Sequence, residues 1–237
     1  SDAKEKLSEE QQRLVWLYYT DFVREGAELS EVDKEEVAKI NQELAGLFTL
    51  FSQKLLAEEN DQFLELHSEL DLDGLPEAFK NAAIAEAKER NLNVLACIGN
   101  TRSSIEPFLT FSNRRDLREK AFDIFVKRGD NKNENNTNET LVAILKLRAE
   151  KAQILGFENF AEWSLSNKMA KDPKKTLDLM HSVWKPAVEK VKNDVAAMQE
   201  MVDNEGGNFK IQPWDYRYYA EKVRKAKYDL DQNEIKQ

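Results

Sequence analysis

The chain has 237 residues, of which 41% are hydrophobic and 33% are charged. It contains only eight Gly and five Pro, where average usage would give about 28 of the two together. So few turn-forming residues exclude β-sandwiches and propellers, which need many tight turns. A charged chain that is rich in Leu, Ala, Lys and Glu predicts a mainly α fold instead.

The charge and the cysteine count limit the compartments and the classes of partner that fit this chain. The net charge of −9, from 35 Lys and Arg against 44 Asp and Glu, repels phosphate backbones and anionic lipid surfaces. No apolar run approaches the roughly 18 residues of a membrane helix, and residues 1–6 lack the apolar stretch of a signal peptide. The lone Cys97 allows no internal disulfide, which is typical of a reducing compartment. We therefore expect a cytoplasmic protein with no nucleic acid and no membrane among its partners.

Apolar residues at three- and four-residue steps predict the first two helices. One helix begins after Ser8 and ends near Gly26, and Ser30 then caps a longer helix. The face of the first helix consists of Leu14, Leu17, Tyr18 and Phe22. The stripe of the second consists of Val37, Ile40, Leu44, Leu47, Phe51 and Leu55. The second stripe predicts that one side of its helix is buried.

The pattern changes after residue 62, where Leu64, Leu66 and Leu70 alternate with polar residues as in a half-buried strand. A turn and an Ala-rich helix follow, and the segment 92–98 could supply the pairing strand. We therefore expect at most one small β-ribbon, formed by about 63–70 with 92–98, in an otherwise helical chain.

A polar run from Gly129 to Asn138 contains no apolar residue, which predicts a domain boundary or a mobile loop. We therefore expect an N-terminal helical region over residues 1–130 and a second helical region over residues 131–237. In the second region, a long helix starts at Pro173. Its apolar residues from Leu177 to Val202 predict that it packs against a neighbour along most of its length.

Residues that carry catalysis are sparse. Neither His67 nor His181 is followed four residues later by another His, which excludes a His-Glu-x-x-His zinc site. The apolar neighbours of Cys97 predict a small buried side chain rather than a nucleophile. Acidic neighbours such as Glu58 and Glu59 point to different sides of a helix and so predict no acid–base dyad. The residues by themselves indicate a helical protein in which no catalytic machinery can be named.

Two segments of the second region resemble a known family. One is Pro213-Trp214-Asp215-Tyr216-Arg217-Tyr218-Tyr219-Ala220-Glu221-Lys222-Val223-Arg224, which is similar to a signature of the thimet-oligopeptidase family of zinc peptidases. The run from Leu147 to Phe157 is similar to the segment that precedes this signature in those enzymes. Within the family, the chain resembles most the branch of bacterial peptidyl-dipeptidase (dipeptidyl carboxypeptidase) and oligopeptidase A. The resemblance implies the multi-helix N-terminal half of a thimet-oligopeptidase-like fold.

Members of this family hold zinc with a His-Glu-x-x-His helix, and this chain does not contain that motif. The resemblance therefore implies the N-terminal part of a longer enzyme whose catalytic region continues after the segment 229–236. It implies no catalytic and no metal-binding residue in this chain, and zinc only in the parent enzyme. The implied partners are the missing C-terminal catalytic half and, for the parent, short peptide substrates.

In such an enzyme the chain would form one wall of a substrate channel. Trp214, Asp215, Tyr218 and Tyr219 would either line this channel or pack against the missing half. Packing is the favoured interpretation, because aromatic residues at helical spacing more often fill cores than contact ligands. The alternative to the N-terminal part of a peptidase is a stand-alone helical interaction module without peptidase activity.

Overall fold

A computed structural model describes residues 7–228 of the chain. The chain divides into two compact units, each assembled from two segments. Unit 1 comprises the chain up to Ser52 together with Asn138–Ser182, and unit 2 comprises Gln53–Thr137 together with the chain from Val183 onward. The predicted segment 229–236 lies outside the described residues. The division into regions 1–130 and 131–237 stays a prediction.

Unit 1 is built from helices. They are α1 (Glu9–Arg24), the first part of α2 (Glu31–Asp61), α6 (Asn138–Ile154), α7 (Phe160–Leu165) and the start of α8 (Pro173–Asn204). Ile40, Leu44 and Ile144 form its core, against which Leu47, Phe51, Leu147 and Ile154 pack. The predicted stripe of α2 therefore meets an apolar face of α6, as its helical spacing requires.

Helix α1 is well formed, but its apolar residues stay exposed. Ser8 and Gln11 form a reciprocal capping box at its start, which satisfies two otherwise unpaired amide groups. At its end, the Arg24 guanidinium donates to Ser166 Oγ at 2.8 Å and to the Trp163 carbonyl at 2.7 Å. All of α1 lies within the described residues, and none of its side chains is buried. The capping box therefore closes the first turn within the helix itself, whereas the Arg24 contacts hold the last turn of α1 to the rest of unit 1.

Unit 2 contains the last part of α2, a two-stranded sheet and the remaining helices. The elements are β1 (Phe63–Leu66), α3 (Glu77–Glu89), β2 (Ala96–Gly99), α4 (Arg102–Phe111), α5 (Arg115–Val126), the rest of α8, and α9 (Tyr216–Tyr228). Its larger core consists of Leu64, Leu66, Leu72, Leu75, Ala83, Ala96, Ile98, Ile105, Phe108, Leu109, Leu117 and Ala121. This arrangement confirms the mainly α fold with one small β-ribbon. Among the described helices, none is both long and apolar enough to span a bilayer.

The two strands pair antiparallel, with Phe63 opposite Gly99 and Leu66 opposite Ala96. Both are shorter than the predicted 63–70 and 92–98. The Asp71 carboxylate accepts the backbone N–H groups of His67 at 2.9 Å and Ser68 at 3.1 Å. Because both amides bond to this side chain instead of a partner strand, the ladder stops at Leu66.

The polar run after Gly129 forms a loop that encloses one carboxylate. Glu58 is fully buried at the end of α2 and accepts hydrogen bonds from the Gly129 N–H at 2.7 Å, Asn131 Nδ2 at 2.7 Å and Asn133 Nδ2 at 2.6 Å. Burial by itself raises the pKa of Glu58, but these hydrogen bonds outweigh it and lower the pKa below its ordinary value. Gly129 adopts a φ of 76°, a left-handed conformation that suits glycine. A buried charge with three donors thus orders this loop.

The packing predicted for α8 is wrong for its first half. Leu177, Met180, Trp184 and Val191 are exposed, whereas Met198 and Val202 nearer the helix end are buried. The buried end packs with Tyr219 and residues around it. The apolar stripe of a helix shows that a face is suited to burial, but it does not show which part of the helix is covered.

Candidate functional site

The segment with the most specific family resemblance begins at a short 3₁₀ turn, Pro213–Asp215, and continues into α9. Pro213 occupies the first position of the turn, where its missing N–H costs no hydrogen bond. The Asp215 carboxylate accepts the Gln212 N–H at 3.1 Å. The Asp215 side chain is fully buried. The turn and its hydrogen bond therefore direct this side chain into unit 2 and away from solvent.

Two arginines from α5 neutralise Asp215. Arg115 donates to both carboxylate oxygens, with distances of 3.1 Å and 3.2 Å from Nε and 2.9 Å from Nη2. Arg118 donates from Nη2 at 2.9 Å and also reaches the Ser112 carbonyl with Nη1 at 2.8 Å. The Arg118 side chain is 2% exposed and that of Asp215 is 0% exposed. Water cannot replace either charge of the Arg118–Asp215 pair, so each depends on the other, whereas the Arg115 side chain is 35% exposed.

Aromatic rings contact both guanidinium groups. The Arg115 guanidinium lies 4.2 Å from the Phe209 ring centre and 5.6 Å from that of Trp214. The Arg118 guanidinium lies 4.1 Å from the ring centre of Tyr218. Such cation–π contacts gain strength where water is excluded. The cluster therefore fixes the start of α9 against α5 by charge and by stacking together.

The four residues predicted as channel-lining or packing residues lie close together in unit 2. Trp214 packs against Phe122 at 6.3 Å between ring centres. Tyr218 meets Tyr219 edge-on at 5.1 Å and donates its hydroxyl to Asn113 Oδ1 at 2.8 Å. These contacts are all with other residues of unit 2. Whether the four residues also line a channel or touch a further part of the protein stays a prediction.

The sequence interpretation missed Arg115 and Arg118. Their three-residue spacing on α5 places both guanidinium groups on one side of the helix, and that spacing was the available signal. The sequence contains 44 acidic residues, so it could not identify Asp215 as their shared partner. That pairing depends on contacts across about 100 positions of the chain.

A cleft of 590 Å³ lies beside this cluster in unit 2. Its walls come from α4, α5 and α9 and comprise Leu109, Thr110, Phe122, Pro213, Tyr216, Arg217, Ala220, Glu221 and Arg224. Arg217 pairs with Glu106 at 2.6 Å. Lys222, which does not line the cleft, pairs with Glu205 at 2.8 Å. Burial lowers the pKa of Lys222, but the contacts with Glu205 and Tyr218 outweigh this effect and raise that pKa. Apolar side chains thus line the cleft together with the charged groups of Arg217, Glu221 and Arg224.

Among the described residues, the potential metal ligands are dispersed and Cys97 is a buried free thiol. Among residues 7–228, no three His, Cys, Asp or Glu side chains lie close enough together to bind a metal ion, so this part of the chain offers zinc no complete ligand set. Cys97 is fully buried, and burial raises its thiol pKa to about 11. A thiol with that pKa remains protonated at neutral pH and is a poor nucleophile.

Comparisons with known proteins agree with the family resemblance of the segment from Pro213 to Arg224. The model of Peptidase family M3 matches residues 108–237. Dipeptidyl carboxypeptidase of Escherichia coli is 32% identical over 230 residues, which cover 97% of this chain and 34% of that protein. Oligopeptidase A of Escherichia coli is 28% identical over 220 residues, covering 91% and 32%, respectively. Saccharolysin of Saccharomyces cerevisiae is 22% identical over 224 residues, covering 92% and 30%.

The chain therefore spans about a third of the length of the curated relatives it matches. The match to the family model includes α5, the Pro213–Asp215 turn and α9, so the buried ion cluster lies within the matched region. Because that match extends over more than half of the chain, this protein belongs to peptidase family M3.

Proposed function

We propose that these 237 residues are the N-terminal part of a zinc metallopeptidase that hydrolyses short peptides, in the manner of a peptidyl-dipeptidase or oligopeptidase. The observation that carries the proposal is the family match over residues 108–237 in a chain that covers 34% of a dipeptidyl carboxypeptidase. In this proposal, the remaining part of the polypeptide supplies the zinc ligands and the catalytic residues. The 237-residue chain is inactive by itself.

The contribution of this chain is structural: it forms one wall of the channel that admits the peptide. The ion cluster of Asp215 with Arg115 and Arg118 supports this role, because it holds α9 rigidly against α5. The charged edge of the neighbouring cleft, with Arg217 and Glu221, offers groups that could contact a peptide. Zinc supplies activation of water and of the scissile carbonyl in metallopeptidases, and no described residue of this chain takes part in that chemistry.

The proposal is tested by comparing this chain with its complete reading frame. We expect the complete protein to hydrolyse a short peptide, to lose this activity on treatment with a chelator, and to recover it when zinc is added. The 237-residue chain should show no hydrolysis above a buffer blank under the same conditions. Chelator-sensitive hydrolysis by the short chain, or stoichiometric zinc retained by it, would falsify the fragment role.

The reading frame also separates the proposal from its alternative. A frame that encodes only these residues would favour a stand-alone helical interaction module. A frame that continues to a His-Glu-x-x-His motif would support the peptidase, because that motif places two imidazoles on one helix face for zinc.

A further inference from the structure

Helix α1 presents an apolar surface that no other residue of unit 1 buries. The surface, here called the α1 face, consists of Leu14, Val15, Tyr18 and Phe22, which are 53%, 57%, 62% and 66% exposed. These positions fall within an arc of about 100° on a helix with 3.6 residues per turn. A stripe of this kind normally faces a core, so its exposure requires an explanation.

Local disorder does not explain it, because α1 is capped at its start and is fixed to unit 1 at its end. The capping box of Ser8 and Gln11 closes the first turn. The last turn is held through Arg24, whose carbonyl also accepts Trp163 Nε1 at 3.1 Å. Lys151 adds an ion pair with Glu25 at 3.1 Å, next to that turn. The helix is thus a folded element whose apolar side is turned toward solvent.

We infer that the α1 face is the surface on which the remaining polypeptide of the peptidase packs. The inference rests on the proposed function, which supplies that polypeptide. It is supported by length, since the relatives continue for about two thirds of their sequence outside the matched region. A segment of the same polypeptide is held near α1 by the chain itself, so it binds at a high effective concentration.

Tethering favours this occupant over a second copy of the chain. Two free chains lose translational and rotational freedom when they associate, whereas a segment of the same polypeptide is already held near α1. The exposed apolar surface of α1 extends beyond the α1 face, since Trp16, Leu17 and Tyr19 are also 50%, 40% and 58% exposed.

Cysteine labelling tests the inference directly. Cys97 is buried and has a raised pKa, so a cysteine introduced on α1 should be the reactive thiol of the 237-residue chain. The variants are Phe22→Cys and Tyr18→Cys on the α1 face, with Glu9→Cys as the matched control. Glu9 is exposed on the same helix, on the side opposite the α1 face. Each variant is made in the 237-residue chain and in the complete protein, and labelling of each α1 position is read by mass spectrometry of its peptide.

We expect both α1-face cysteines to react rapidly in the 237-residue chain. In the complete protein they should react at least about tenfold more slowly, because a buried thiol reacts only after local opening. The Glu9→Cys control should react rapidly in both. Equal rates at position 22 and position 9 in the complete protein would overturn the inference, and so would slow labelling of position 22 in the short chain alone. Labelling of position 22 that slows as the short chain is concentrated would identify a second copy as the occupant and also overturn it.

The inference and the proposed function fail in distinguishable ways. If the complete protein is a chelator-sensitive peptidase but its α1 face labels rapidly, only the packing surface is refuted. If the complete protein has no peptidase activity or the frame ends with these residues, the proposed function is refuted, whatever the labelling rates are.

Discussion

Replacing Asp215 by Asn should destabilise unit 2 strongly. Asn keeps the shape of the side chain but removes the charge that neutralises Arg115 and Arg118. The Arg118 side chain is only 2% exposed, so water cannot replace the lost carboxylate. Breaking a buried ion pair by removing one partner costs about 3–5 kcal/mol. We expect a loss of that size in the free energy of unfolding, measured by urea denaturation and followed by far-UV circular dichroism.

The neighbouring Asp116 provides a matched control. Its carboxylate pairs with Arg114 at 2.8 Å, but the side chain is 57% exposed. Exposed ion pairs contribute about 1 kcal/mol or less, so Asp116→Asn should have a small effect. Equal losses for Asp116→Asn and Asp215→Asn would show that burial of the ion cluster does not determine its stability.

A double variant tests the physical cause. If the cost of Asp215→Asn arises from the unpaired charge of Arg118, then replacing that residue as well should relieve part of it. We expect the double variant Asp215→Asn with Arg118→Met to lose less free energy of unfolding than the sum of the two single losses, by at least about 1 kcal/mol. Strict additivity of the two losses would refute this explanation.

Three further predictions concern Glu58 and Cys97. Glu58→Gln should lower the free energy of unfolding by about 2–3 kcal/mol, because three donors lose a charged acceptor. The control Glu59→Gln affects a partly exposed ion pair with Arg128 and should cost about 1 kcal/mol or less. Equal losses for the two variants in urea denaturation would contradict the stabilisation of the loop by Glu58. Hydrogen bonds hold the pKa of Glu58 below its ordinary value in the folded chain, so its stabilisation is present above the ordinary carboxyl pKa and is lost as the pH falls through the lower, folded value. The wild-type Tm should therefore fall more steeply on acidification than that of Glu58→Gln, and parallel curves would exclude this linkage. Cys97, with a thiol pKa of about 11, should react with a disulfide reagent at pH 8 only after urea is added, and rapid reaction of the folded chain would show that the thiol is accessible.

Sequence patterns that act over a few residues predicted much of this fold. The three- and four-residue steps of α1 and α2 are properties of the helix itself, so they are visible without any partner. The alternation around Leu64 and Leu66 likewise predicted the small β-ribbon, although Asp71 ends the first strand earlier than the alternation suggested. The segment from Pro213 to Arg224 identified the family on its residues alone, and the family match over 108–237 confirmed it.

The tertiary structure decided which charges are buried and which apolar faces are covered. Nothing near Glu58 in the sequence indicates that it is enclosed by Asn131 and Asn133, some 75 positions away. Arg118 carries a charge like those of exposed arginines and becomes a core residue only because Asp215 reaches it across 97 positions. Burial is a property of two surfaces in contact, whereas a sequence pattern describes one surface. For this reason, of two apolar side chains in stripes with the same helical spacing, Val202 is buried and Phe22 is exposed.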